Sequence, residues 1–121
     1  MQKYPLAYRW LRANGVSELI PWCFSDGDLA ADEVFSRETT SSRMVLTFAR
    51  RQDRDECAGF EVVNHIATNR VIQFIPTFEK KRNPHLIFRE YDSLWLFLTR
   101  VVIPDTEEWA TEEELEELLS E

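Results

Sequence analysis

Four carboxylates, Asp53, Asp55, Glu56 and Glu61, crowd the stretch "RRQDRDECAGFEVV" at residues 50–63. Oxygen ligands so closely spaced could hold a hard cation and support metal-dependent hydrolysis. A calcium loop, however, needs more oxygens at regular spacing and a glycine at its sharp turn. Here Arg50, Arg51 and Arg54 interleave with the acids and offset the charge a metal would require. The expectation is therefore an exposed, self-paired hairpin tip. Its charges discourage unwanted strand pairing, and one Asp can turn inward as an Asx-turn.

Other chemistry-bearing residues are scattered. Cys23 and Cys57 form no CxxC, and His65 and His85 fall in separate turns, so no zinc spacing exists. A Cys57–His65 nucleophilic pair stays open, because such pairs meet only in space. Yet Cys57 opens an apolar run and reads as a small core hydrophobe. Two free, buried thiols are the plain reading, with a single disulfide left open. The three glycines, Gly15, Gly27 and Gly59, are isolated, so no phosphate-cradling loop and no cofactor motif is expected. Gly59 reads as a bulge or a close approach to an aromatic ring.

The composition bounds what can position these groups. A chain of 121 residues, 44% hydrophobic and 30% charged, fits one soluble domain. No apolar run approaches a membrane span, since "LWLFL" ends at Thr99 and Arg100. "MQKYPLAYRW" lacks the pattern of a secretory signal, so the cytoplasm is the expected location. The net charge of −8 is unevenly placed: residues 105–121 hold nine acids and no base, while the preceding 104 hold 13 acids and 14 bases. Overall acidity argues against a nucleic-acid ligand, which needs a basic footprint.

The element pattern is that of an α+β domain at 1–104 with an acidic helical extension at 105–121. A first helix is expected over 4–14, with Leu6, Ala7, Trp10 and Leu11 facing inward and Gly15 as its stop. "GVSELIPWCF" reads as a loop with Trp22 and Phe24 buried. Asp28 caps a helix over 29–37 whose spacing puts Leu29, Glu33 and Val34 together. "RMVLTFAR", "CAGFEVV" and "RVIQFIP" then predict three strands of a meander, with "RRQDRDE" and "NHIATN" as its connections. "LIFREY" adds a further strand or arm. Asp92 or Ser93 caps a helix with the stripe Leu94, Trp95, Leu98, Val101 and Val102, which Pro104 should close. Trp10, Trp22 and Trp95 are expected in the core. Thr111 and Glu114 form a capping box for a last helix with Leu115, Leu118 and Leu119 on one face. Trp109 stands apart as an aromatic amid acids, set either to dock on the domain or to anchor a partner.

Three stretches in this order, "NGVSELIPW" (Asn14 to Trp22), "FARRQDRDECAGFEV" (Phe48 to Val62) and "REYDSLWLFL" (Arg89 to Leu98), resemble the SUKH superfamily of yeast Smi/Knr cell-wall-regulator-like proteins. The resemblance spans roughly residues 6–103. The strand after the hairpin departs from it: "FIPTF" brings Pro76 and Thr77 where a His-Asp pair is common. What the resemblance implies is an α+β fold with a twisted, mainly antiparallel sheet flanked by helices. It also implies a binding role rather than catalysis, many bacterial members being immunity proteins against nuclease or deaminase toxins. The partner expected is then a basic toxin domain, met by acidic residues. Candidates for the contact are Trp109, Glu107, Glu108, Glu112, Glu113 and Glu116 in the extension, with Asp53, Asp55 and Glu56 at the hairpin. The alternatives are a regulatory or scaffold module without a toxin, and a metal-dependent hydrolase built on Asp53, Asp55, Glu56 and Glu61.

Overall fold

A computed structural model describes residues 3–111 and 115–119. Six strands form one open antiparallel sheet in chain order: β1 (Glu18–Leu19), β2 (Trp22–Phe24), β3 (Met44–Arg51), β4 (Cys57–Val63), β5 (Ile66–Phe74) and β6 (Ile87–Tyr91). Helix α1 (Leu6–Ala13) and a helical run from Leu94 pack on one face. Helix α2 (Leu29–Glu38) packs on the other. The α+β expectation and the central meander are thus observed.

The first face is an aromatic core. Phe48 and Phe60 stack with ring centres 4.3 Å apart, and Tyr8 meets both edge-on. Phe97 packs edge-on against Trp22, Phe48 and Tyr91. Such contacts add specific geometry to the burial of large rings. Tyr8 donates its hydroxyl to the Ser25 carbonyl at 2.7 Å and Tyr4 donates to that of Thr47 at 3.0 Å, so both phenols are satisfied. Burial pushes the Tyr4 phenol up to about 12.

This face corrects the expected stripe of α1. Tyr4, Ala7, Tyr8 and Leu11 turn inward, at the spacing i, i+3, i+4, i+7, while Leu6 (73% exposed) and Trp10 (61%) face solvent. Gly15 (φ +82°) does end the helix: its N–H meets the Arg12 carbonyl and that of Val16 meets Leu11, a Schellman stop. In α2, Asp28 caps as expected by accepting from the Ala31 N–H. The buried residues are Ala31, Val34, Phe35 and Glu38, however, and Leu29 and Glu33 are exposed.

The expected loop "GVSELIPWCF" contains the hairpin β1–β2, joined by Ile20 and Pro21, which share a cis peptide bond. Trp22 and Phe24 are buried as expected. The connection "NHIATN" narrows to Asn64 and His65, both at positive φ, the two-residue turn that matches strand twist. β5 accordingly starts at Ile66, four residues before the expected Arg70. Phe48 forms a bulge in β3 beside Gly59. A Cβ on Gly59 would sit 3.0 Å from Val45 Cβ and 3.2 Å from Thr47 Cα, so the close approach is to the neighbouring strand, not to a ring.

Ser93 caps α3 (Leu94–Phe97) by accepting from the Leu96 N–H. Pro104 does not close this helix. A π-helical turn at Leu98–Val102 leads into α4 (Ile103–Trp109), so Pro104 lies inside a continuing run, directly after the wider π turn. The expected boundary at 104/105 therefore falls within a helical run. The inward stripe is Leu94, Phe97, Leu98 and Val102; Trp95, expected in the core, is 48% exposed and rests edge-on against Trp10 at 6.2 Å. A short helix α5 (Leu115–Leu119) follows, with all three leucines exposed. Glu114 of the expected capping box lies outside the described residues.

Two ionic devices hold the second face. Glu38, 0% exposed, accepts from the Thr77 N–H and Oγ1–H, the Phe78 N–H and Asn83 Nδ2, and so anchors residues 77–83 to α2. Burial alone would push its carboxyl up, but these donors outweigh burial and hold it below the ordinary value. Across the sheet, Arg43 pairs with Glu61 and Glu90, and Arg70 pairs with Glu90 and Asp92. Hydrogen bonds from Arg43, then Arg70, hold the Glu90 carboxyl down at about 2.

Two predictions follow from this packing. A carboxyl depressed in the fold stabilises it above the unfolded value and loses that contribution as pH falls through the folded value. Stability measured by circular dichroism should thus decline between pH 4.5 and about 2, and Glu90→Gln should lower stability at pH 7 while flattening that decline. Equal acid slopes in both proteins would contradict the stabilising role of the Arg43–Glu90–Arg70 pairs. In urea unfolding, Phe97→Ala should cost about 3–5 kcal/mol and Trp95→Ala no more than about 1, because only the first leaves a core cavity.

Candidate functional site

The hairpin expected at "RRQDRDE" is present, closed by the Arg51 N–H donating to the Glu56 carbonyl at 2.9 Å. The Gln52 N–H donates to the Pro21 carbonyl at 2.8 Å, which lays the loop beside the β1–β2 turn. Its three acids have different surroundings. Asp53 is exposed and takes two hydrogen bonds from Arg51, at 2.8 and 3.0 Å, which lower its pKa. Asp55 is exposed. Glu56 is not part of an exposed tip. It is buried, accepts from Gln73 Nε2, and pairs with Arg54 at 3.0 Å. Gln73 in turn accepts from the Tyr91 hydroxyl at 2.8 Å, so Glu56 ends a polar chain inside the sheet.

Arg51 is the hinge of the region. Its remaining nitrogen, Nη1, donates to Asp105 Oδ2 at 3.1 Å, and Trp22 Nε1 donates to the same oxygen at 2.9 Å. One acid of α4 therefore satisfies a buried indole and bridges, through Arg51, to Asp53 of the hairpin. Thr106 reinforces the seat by donating to the Leu19 carbonyl at 3.0 Å. One turn on, half-buried Trp109 lines a shallow depression with Leu19 and Ile20. Glu107 and Glu108 remain exposed on α4, and Glu116 is exposed on α5. Glu112 and Glu113 lie outside the described residues.

The carboxylates of the hydrolase alternative do not converge. Asp53 is taken by Arg51, Glu56 by Arg54 and Gln73, and Glu61 by Arg43. Among the described residues no group of three His, Cys, Asp or Glu side chains could hold a metal. Cys57 opens β4 and His65 lies in the turn beyond its far end, so the strand alone, about 20 Å at about 3.3 Å per residue, separates them. Cys57 is buried and free, and burial pushes its thiol up to about 11, away from nucleophile chemistry. A concavity of about 660 Å³ lies beside α2, walled by Leu29, Met44, Leu46 and Val62 with Asp32, Arg37 and His65. No helix among the described residues is long and apolar enough to cross a membrane.

The sequence pattern missed three features here: the Asp105 bridge, the Glu38 anchor and the Glu56–Gln73–Tyr91 chain. The one local signal was Asp105 itself, a first-turn acid directly after Pro104. No family model, no curated protein and no solved structure matches the chain.

Asp105→Ala should destabilise the domain by about 1–3 kcal/mol, because it strands the Trp22 indole N–H and part of Arg51. Indole emission should report the loss of that hydrogen bond. Asp105→Asn, which keeps an acceptor, should recover much of the stability. An alanine variant as stable as the parent would remove Asp105 from this role.

Proposed function

We propose that this chain is a non-catalytic protein-binding domain of SUKH type, and that it acts as an immunity protein, sequestering a basic toxin domain by occlusion. The observation that carries this reading is the position of Arg51, within 3.1 Å of both Asp53 and Asp105. The acids named from sequence come from two segments more than 50 residues apart, and this guanidinium brings their starting points together at one end of the sheet. Asp53 and Asp55 on the hairpin and Glu107 and Glu108 on α4 are all exposed there. Fixed anionic groups on a rigid scaffold suit the basic, substrate-binding cleft of a nuclease or deaminase toxin, speeding association and setting specificity.

The three stretches that resemble the SUKH superfamily support the reading in a second way. The first supplies the Schellman stop and the β1–β2 hairpin, the second the β3–β4 hairpin, and the third the passage from β6 into capped α3. Each therefore serves the frame rather than a reacting group. The departing strand end, Pro76–Thr77, is occupied structurally, since Thr77 is held by Glu38.

The test is to search beside this gene for a reading frame encoding a basic toxin domain, coexpress it with this chain, and follow with capture and binding kinetics. The intact chain should protect cells and copurify with the toxin at one to one. Glu107→Lys with Glu108→Lys should slow association roughly tenfold or more at low salt, with the gap closing at high salt as charges are screened. Absence of protection and of capture would overturn the immunity reading. Capture with unchanged on-rates would remove α4 from the contact.

A further inference from the structure

Helix α1 presents a second apolar face. Leu6, Trp10 and Ala13 recur at i, i+4 and i+7 and are all exposed, opposite the buried Tyr8 and Leu11. Trp95 of α3 extends this face, its ring edge-on to Trp10 at 6.2 Å. Two half-bare tryptophans in contact on rigid helices form the kind of aromatic anchor that concentrates binding energy. One exposed acid, Asp92, stands a turn before Trp95 and is paired with Arg70, and the other charges near them in sequence are positive. Lys3 lies one turn before Leu6, Arg9 adjoins Trp10, and Arg100 stands one turn beyond Trp95; all three are exposed.

The same chain carries a segment of opposite character. Leu115, Leu118 and Leu119 are 45%, 63% and 86% exposed, in a tail that holds nine acids and no base from residue 105 onward. So short a helix is not held by propensity alone and needs a surface on which to pack. Its own domain does not offer the tryptophan face. The helical run carries the chain from Trp95 to Thr111, about 24 Å at 1.5 Å per residue, and Asp105 and Thr106 pin it to the sheet. The four steps from Thr111 to Leu115 span at most about 14 Å, too little for Leu115 to return.

We propose that the Leu6–Trp10–Trp95 face receives the acidic, leucine-bearing C-terminal segment of a second copy of this chain. The exchange is reciprocal: each tail lies on the other copy's tryptophans, with its carboxylates toward Lys3, Arg9 and Arg100. Two-fold symmetry closes the pair and covers both apolar surfaces at once. The mode is that of an amphipathic helix laid on an apolar surface, with charge fixing its direction.

The test is the oligomeric state of the full chain, by light scattering on a sizing column and by sedimentation. The chain should be a dimer whose dissociation constant rises at high salt. Trp10→Ala with Trp95→Ala should raise that constant at least tenfold, as should Leu118→Glu with Leu119→Glu, both with the parent's circular dichroism spectrum. The decisive arm mixes the two variants. One of the two reciprocal contacts then survives, so the mixture should form a heterodimer more readily than either variant dimerises alone. A wild-type chain that stays monomeric up to about 100 μM, tighter than which a useful self-association would fall, overturns the proposal. So does a mixture no better than its components. Neither result bears on toxin capture, which is read in a separate assay.

Discussion

One carboxylate oxygen, Asp105 Oδ2, ties the two halves of the molecule together. It accepts from the indole of Trp22, which is fully buried, and from Arg51 at the end of β3. A buried indole N–H without a partner is costly, so the acid is needed to let Trp22 fill the core against Phe97. The same contact fixes where the acidic extension leaves the domain. Pro104, read locally as a terminator, instead opens α4, and the preceding π turn sets the rotation at which Asp105 arrives at Trp22. The exposed acids of α4 inherit their position from this single seat.

How far this was legible in the sequence depended on the range of each interaction. Asp28 and Ser93 were readable as caps, because a cap bonds its own helix three residues on. The spans of β3 and β4 were readable within a residue from their alternating runs, but the bulge at Phe48 that breaks the alternation of β3 was not. The inner faces of α1 and α2 were not. The most hydrophobic residues, Leu6, Trp10 and Leu29, lie outward, while the inward positions include Tyr8 and Glu38, whose polar atoms are satisfied by Ser25, Thr77 and Phe78 elsewhere in the chain. Trp95 was misplaced for the same reason: a ranking by hydrophobicity puts Trp inside, whereas the helix has room inward only for Leu94, Phe97, Leu98 and Val102. β1 and β2 are too short, and too broken by Pro21, to show a period.

The candidate site divides along the same line. That "RRQDRDE" is a connection followed from the alternating runs on either side. That Glu56 turns inward while Asp53 and Asp55 stay out did not, because Gln73 and Tyr91, which satisfy it, belong to two other strands. Nor could sequence join Asp53 to Asp105, since the arginine between them acts across 54 positions of chain. Buried charge is unreadable locally in general: whether a carboxylate is solvated or anchored depends on donors that only the fold assembles.

The helical run that begins at Leu94 separates two kinds of surface. Near its start stands Trp95, beside Trp10 and near Arg100 in sequence; near its end stand the exposed Glu107 and Glu108, shortly after Asp105, which pairs with Arg51. Because Asp105 and Thr106 pin the middle of the run, neither surface can slide toward the other. The basic-aromatic end and the acidic end are thus complementary in chemistry yet held apart by about two-thirds of the run. A rigid body with complementary ends cannot satisfy itself, and its options are a second copy or a foreign chain at each end. Self-pairing through the leucines would draw on residues 115–119, whereas the acids on α4 and the hairpin lie before that segment. The geometry therefore leaves the proposed self-association and the proposed toxin contact on different residues of one acidic extension.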